Sequence, residues 1–253
     1  MEAEIQQKLN EIEAAERVNI LFAVESGSRA WGFASPDSDF DVRFVYARSA
    51  REYLRVRPQR DVIELPITGD LDINGWDLYK ALERFQASNP PLLEWLQSPI
   101  VYRGGPFLDE LRAMAKAHFS PRRMAYHYGS MAKRNFIESI AGRDAVSLKK
   151  YLYALRPVVC VRWLERENSP PPTRFQDALE IAALPEAVRA VTDELITRKQ
   201  AGGELGLAPP EPILNAFLEA EIARIADSTP ALPDAPSDSR LLDELAWRVL
   251  KVS

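Results

Sequence analysis

With 253 residues, 46% apolar and 27% charged, the chain has the make-up of a folded globular protein of one large or two modest domains, which excludes wholesale disorder. One cysteine, Cys160, excludes an internal disulfide framework or a cysteine zinc cluster, and two histidines, His118 and His127, leave little for a histidine-rich metal site. The net charge of −5 hides an asymmetry: between residues 112 and 166, twelve Lys/Arg stand against three acids. A basic middle suits a polyanion such as a nucleoside triphosphate or a nucleic acid, and suits equally a solvated helical face paired with acidic flanks. No apolar run approaches the roughly 18 residues of a membrane span. Met1-Glu2-Ala3-Glu4 is acidic where a secretion signal is basic and then apolar, so the expectation is a cytoplasmic protein with no membrane partner.

In chain order, Ile5, Leu9 and Ile12 repeat at helical spacing and predict a helix over 2–16. Residues 18–24 form a short apolar run of strand type. It ends in Ser26-Gly27-Ser28, a turn that opens a short helix, and 35–38 are dense in turn formers. Residues 39–46 alternate polar and apolar as a half-buried strand does; 62–67 and 71–76 read as two more strands joined through the turn Thr68-Gly69-Asp70. Helices are expected over 76–86 and 92–97, then an edge strand over 100–103. Beyond Gly104 only helical periodicity follows, over 107–118, 121–140, 147–165, 175–183, 186–200, 213–227 and 240–249. Proline clusters punctuate it at 170–172, at 209, 210 and 212, and at 230, 233 and 236. The expected fold class is α+β: a small mixed β-sheet domain with flanking helices over residues 1–104, then an all-helical domain over 105–253.

One stretch carries chemistry. Residues two apart on a strand point to the same face with Cα atoms about 6.6 Å apart, so Asp39 and Asp41 aim two carboxylates at one point while Phe40 and Val42 turn inward. Unpaired carboxylates repel, and a hard divalent cation such as Mg²⁺ removes the repulsion while also binding phosphate. Gly27 and Ser28, upstream at the end of a strand, supply a bend the backbone of which can approach phosphate closely, with a hydroxyl as a further donor. Arg29 adds charge beside them. A phosphate cradle facing a carboxylate pair suits a metal–triphosphate.

Gly-Ser followed some ten residues later by Asp-x-Asp on a strand resembles the signature of the DNA polymerase β-like nucleotidyltransferase superfamily. The string from Glu25 to Arg43, Glu-Ser-Gly-Ser-Arg-Ala-Trp-Gly-Phe-Ala-Ser-Pro-Asp-Ser-Asp-Phe-Asp-Val-Arg, is similar to its RlaP branch, nucleotidyltransferases associated with RNA-repair genes. The segments Leu71-Asp72-Ile73-Asn74-Gly75-Trp76, Leu92-Leu93-Glu94-Trp95-Leu96, Tyr126-His127-Tyr128 and Lys149-Lys150-Tyr151-Leu152-Tyr153 look like the same branch, so the resemblance spans about residues 18 to 166. It implies a nucleotidyltransferase catalytic domain followed by a helical substrate- or nucleotide-binding domain. It also implies that Asp39 and Asp41 ligate Mg²⁺ or Mn²⁺, that a later strand adds a third carboxylate, and that two ions serve attacking hydroxyl and leaving pyrophosphate. Asp72 is the choice for the third; Asp61 and Glu64 are its rivals on the preceding strand.

Gly27, Ser28, Arg29, His127, Lys133, Lys149, Lys150 and Arg156 are the expected nucleotide-binding residues, with ATP as the expected NTP. Against this stands the plainer reading of His127 and the cations as a packed aromatic cluster with solvated charges. Trp31, Trp76 and Trp95 are expected to pack internally rather than stack on a base. Three functions stay in play: transfer of a nucleoside monophosphate to an acceptor hydroxyl, with RNA as acceptor; the same transfer to a protein or small molecule; and a nucleotide or RNA sensor without turnover.

Overall fold

The computed structural model describes residues 1–167, 169–202, 206–235 and 239–252, and Pro236 of the last proline cluster lies outside them. The chain divides into two compact units. The first unit begins with α1 (Glu2–Glu16), β1 (Asn19–Glu25) and the single turn α2 (Gly27–Ala30). It resumes with β2 (Phe40–Ala47), the turn α3 (Ala50–Tyr53), β3 (Val62–Glu64), β4 (Leu71–Asp77), α4 (Leu78–Gln86), α5 (Pro90–Leu96), β5 (Val101–Arg103) and α6 (Pro106–His118). The second unit holds α7 (Pro121–Ser139), β6 (Val146–Ser147), α8 (Leu148–Arg166), α9 (Phe175–Ala182), α10 (Glu186–Gln200), β7 (Leu207–Ala208) and α11 (Pro212–Ser228). It also takes the segment Trp31–Ser38, while the last helix, α12 (Ser239–Leu250), belongs to the first unit.

The sheet of the first unit runs β3-β4-β2-β1-β5. β2 and β4 are parallel; the other neighbours are antiparallel. Along β2, Val42, Phe44 and Tyr46 face the core with Ile63, Leu71 and Ile73, and the α1 stripe Ile5, Leu9 and Ile12 closes that core. Gly75 lies opposite Phe44, and a β-carbon there would come within 2.2 Å of the Phe44 ring, so glycine is what lets the ring lie across β4. Asp41, Arg43 and Asp72 alternate to the opposite face. The turn at 68–70 joins β3 to β4 through reciprocal hydrogen bonds between Thr68 and Leu71, as expected of a hairpin. Asp77 starts α4 by accepting the Tyr79 N–H, a cap worth about 1 kcal/mol.

Two features depart from the sequence expectation. The first unit does not stop near Gly104: α6 buries Phe107, Leu108, Leu111 and Ala115, and its Phe107 stacks on Phe22 of β1 at 6.3 Å. An apolar helix face needs a partner layer, and for α6 the partner is the sheet. α12 buries Leu242, Leu245 and Ala246 in the same unit and pairs Arg248 with Glu110 of α6. The helical unit is also not wholly helical, because β6 and β7 form a two-stranded antiparallel ribbon. Strands of two residues are too short to leave a periodic signal.

The long helices otherwise fall where periodicity puts them, to within about two residues at each end. In the second unit α8 buries a nearly continuous apolar face including Tyr151, Leu155, Val158, Val159 and Cys160. Buried Glu221 of α11 accepts from Arg162 through both carboxylate oxygens, each at 2.8 Å, and also from Arg224.

Candidate active site

Asp41 and Asp72 lie directly opposite one another on the parallel strands β2 and β4. A single guanidinium nitrogen of Arg43, Nη2, donates to Asp41 Oδ1 at 2.9 Å and to Asp72 Oδ2 at 2.7 Å. Its Nη1 donates to the carbonyls of Val42 and Asp72, which fixes the guanidinium over the pair. Arg43 sits two residues from Asp41 and so shares its face of the sheet. Burial pushes the Asp41 carboxyl above its ordinary pKa; Arg43 opposes that, and the nearby charges of Asp72 and Asp39 add to it.

Asp39 is exposed just before the first residue of β2, within electrostatic reach of Asp41. The rivals for a third carboxylate are engaged elsewhere: Asp61 pairs with Lys80 at 3.0 Å, and Glu64 pairs with Arg60 and accepts from Asn74. Parallel pairing of β2 with β4 sets Asp72 opposite Asp41, a long-range registration that sequence spacing does not encode.

Gly27 adjoins the same carboxylate. Its φ of 56° is left-handed, and a β-carbon there would fall 1.9 Å from Asp41 Oδ2. The sequence places Gly27 at a phosphate cradle; the geometry adds that the glycine makes room for Asp41. Arg29, on α2, turns to the start of β2, donating through Nε to the Asp39 carbonyl at 3.1 Å and covering the Phe40 ring at 3.6 Å.

Glu25 was not singled out by sequence reasoning, being the last residue of an apolar run. It is fully buried, accepts the Asp41 N–H at 2.7 Å and accepts the Tyr102 hydroxyl. Burial pushes its carboxyl up despite those hydrogen bonds. A charged residue ending a strand run, immediately before Ser26-Gly27-Ser28, is the available signal.

Among the described residues no three His, Cys, Asp or Glu side chains are grouped as a ready metal site. The donor chemistry of the Asp41–Asp72 pair nonetheless fits a hard cation: carboxylate oxygens on one face, drawn together by a positive charge. That charge comes from Arg43, whose guanidinium bridges the two carboxylates.

The remaining expected residues lie in the second unit. His127, Lys133 and Lys149 are exposed and Lys150 is half-buried. Lys133 lines a shallow cleft with Tyr126, Ser130, Ile222 and Ile225, where α7 meets α11. Arg156 is not a solvated charge: it is 3% exposed, its guanidinium 4.2 Å from the Trp31 ring. Trp31 also packs edge-on against Tyr153 and beside Phe33, as expected of a packing tryptophan, and Trp76 packs on Trp95 at 4.2 Å. Lys150 lies 5.9 Å from Tyr153, and Lys199 lies 4.9 Å from Phe33. Burial, and then the charge of Lys149, depress the Lys199 pKa. Lys199 escaped the sequence reading because it falls on α10, outside the basic middle of the chain.

The family model for RlaP, the RNA repair pathway DNA polymerase beta family, matches residues 1–248. The chain belongs to the RlaP family. RlaP is a polymerase β-like nucleotidyltransferase family, and the match extends well past residues 18–166. A Bacillus subtilis (strain 168) protein, YcgL, itself described as uncharacterized, is 42% identical over 240 residues, covering 94% of this chain and 92% of its own. A solved nucleotidyltransferase-like protein from Exiguobacterium sibiricum 255-15 is 12% identical with a TM-score of 0.31, covering the whole of this RlaP chain and 80% of its own. At that score the likeness carries no weight for the fold. Among the described residues no helix is long and apolar enough to cross a membrane.

Proposed function

We propose that this RlaP protein transfers a nucleoside monophosphate from an NTP, ATP foremost, to a hydroxyl on an RNA end, releasing pyrophosphate. The observation that carries the reading is the Asp41–Asp72 pair, opposite in register, with Gly27 fitted against the Asp41 carboxylate. In this reading Asp39, Asp41 and Asp72 hold Mg²⁺ or Mn²⁺, which when bound neutralises triphosphate charge and acidifies the attacking hydroxyl. Gly27 and Ser28 lie against the triphosphate, and Arg29 supplies positive charge beside it. Ionised Asp41 and Asp72 are the acceptor-only groups such a cation needs, and Arg43 keeps them together before it binds.

His127, Lys133, Lys149 and Lys150 contact the base and phosphates of nucleotide or RNA. Arg156, buried under Trp31, supports the Trp31–Ser38 segment rather than meeting phosphate itself. The basic stretch from 112 to 166 favours a polyanionic acceptor over a neutral metabolite.

Incubation with α-labelled NTP, Mg²⁺ or Mn²⁺, and mixed RNA or cell lysate tests this. Pyrophosphate release with label on RNA 3′ ends supports it. Label on protein moves the acceptor to a protein side chain, and NTP binding without any pyrophosphate makes the chain a sensor.

A further inference from the structure

We propose that Glu25 is the positioning residue for Asp41, a role that rests on the metal-dependent reading above. β1 ends at Glu25 and the chain then bends into Gly27–Ala30, so beyond this point Asp41 has no ladder partner on the β1 side. Its backbone groups are instead held by two consecutive residues of that bend. Glu25 Oε1 accepts the Asp41 N–H at 2.7 Å, and the Ser26 N–H donates to the Asp41 carbonyl at 2.8 Å.

Glu25 is itself clamped on every side. Its Oε2 accepts from the Tyr102 hydroxyl, its carbonyl accepts from Ser98 Oγ at 2.6 Å, and its N–H donates to the Ile100 carbonyl at 2.9 Å. By register Glu25 lies opposite Val42, on the core face, so it reaches Asp41 from beneath while the Asp41 side chain leaves the other face. A fully buried carboxylate is costly to desolvate, and a core of Ala23, Val42 and Ile20 has no packing use for one. The carboxylate accepts two donors at once, from β2 and β5, and so fixes the Asp41 backbone against Gly27 and the sheet edge together. Supporting partners of this kind set the aim of a ligand that they do not replace.

Wild type, E25Q, E25L and Y102F are compared for Mn²⁺ affinity by EPR titration, and for kcat and KM of NTP-dependent pyrophosphate release. Glutamine keeps an acceptor for the Asp41 N–H, and leucine keeps the volume without it. Folded E25L is expected to bind Mn²⁺ about 10- to 100-fold more weakly and to lose kcat by a similar factor. Its KM for NTP stays within about 3-fold of wild type, and E25Q recovers most of both losses. Folded E25L with wild-type Mn²⁺ affinity and kcat overturns the proposal, as does E25Q impaired as deeply as E25L. Should E25L not fold, Y102F decides: weaker Mn²⁺ binding upholds the role, and wild-type affinity overturns it. Wild-type protein that binds no Mn²⁺ in the same titration removes the metal-dependent reading, and the role of Glu25 falls with it; a metal-binding wild type with insensitive variants removes only the latter.

Discussion

Gly27 and Asp41 are fitted to one another: a β-carbon on Gly27 would lie 1.9 Å from Asp41 Oδ2, and the Gly27 backbone is left-handed with φ 56°. Steric room and conformation therefore demand glycine independently. Gly27→Ala strains the bend by about 1–3 kcal/mol and drives the carboxylate from its place opposite Asp72. Thermal unfolding is expected to show the loss of stability, and Mn²⁺ titration the loss of binding. An alanine variant with the melting point and the metal affinity of wild type contradicts this fit.

Arg43 bridges the two carboxylates that the proposed function assigns to a cation. Removing it takes away a competitor for metal and leaves two facing carboxylates uncompensated. Arg43→Gln is expected to bind Mn²⁺ about 10-fold more tightly, as losing a charge-assisted hydrogen-bond pair implies. The metal-free variant melts lower than wild type and gains more from added Mn²⁺. Calorimetric titration checks this; equal or weaker Mn²⁺ binding by the variant means that the guanidinium does not compete.

Much of this site is legible in the sequence, and the rest is hidden for identifiable reasons. Gly27, Ser28, Asp39 and Asp41 fall within fifteen residues, so local spacing suffices to group them. Asp72 needed a choice among three acids, because parallel pairing of β2 with β4 is set by packing rather than by spacing. Arg43 was visible only as a polar residue on an alternating strand, and its grip on both carboxylates follows from that same pairing. Glu25 was concealed by its place in an apolar run. α6 shows the same limit at the scale of the fold: its amphipathic pattern gives a helix, yet nothing in the pattern names the sheet as its partner.

Glu221 makes the second unit sensitive to acid. Burial alone raises its pKa, but the hydrogen bonds and charges of Arg162 and Arg224 outweigh burial and hold it at about 2. A carboxyl depressed in the folded state stabilises above its ordinary pKa of 4.5 and loses that contribution as pH falls toward about 2. Glu221→Gln is expected to cost about 3 kcal/mol at neutral pH, since it leaves Arg162 without its buried partner. The difference from wild type shrinks through that acid window. Denaturant unfolding at several pH values checks it, and a pH-independent difference contradicts it.

Lys149 and Lys199 are close enough for the charge of one to lower the pKa of the other, and among the described residues neither pairs with an acid. Replacing both by alanine is expected to weaken RNA binding and to reduce the slope of log K against log salt by about one unit per lysine. Far-ultraviolet circular dichroism stays unchanged. Affinities measured across a salt series decide the matter, and an unaltered slope removes both residues from the phosphate-contacting surface.

The most direct measurement is the anomalous diffraction of crystals soaked in Mn²⁺ with a non-hydrolysable NTP. A manganese peak is expected within ligand distance of both the Asp41 and Asp72 carboxylates, with the Arg43 guanidinium displaced from between them. Bound nucleotide with Arg43 still bridging the two aspartates, and manganese absent from that point, contradicts the assignment.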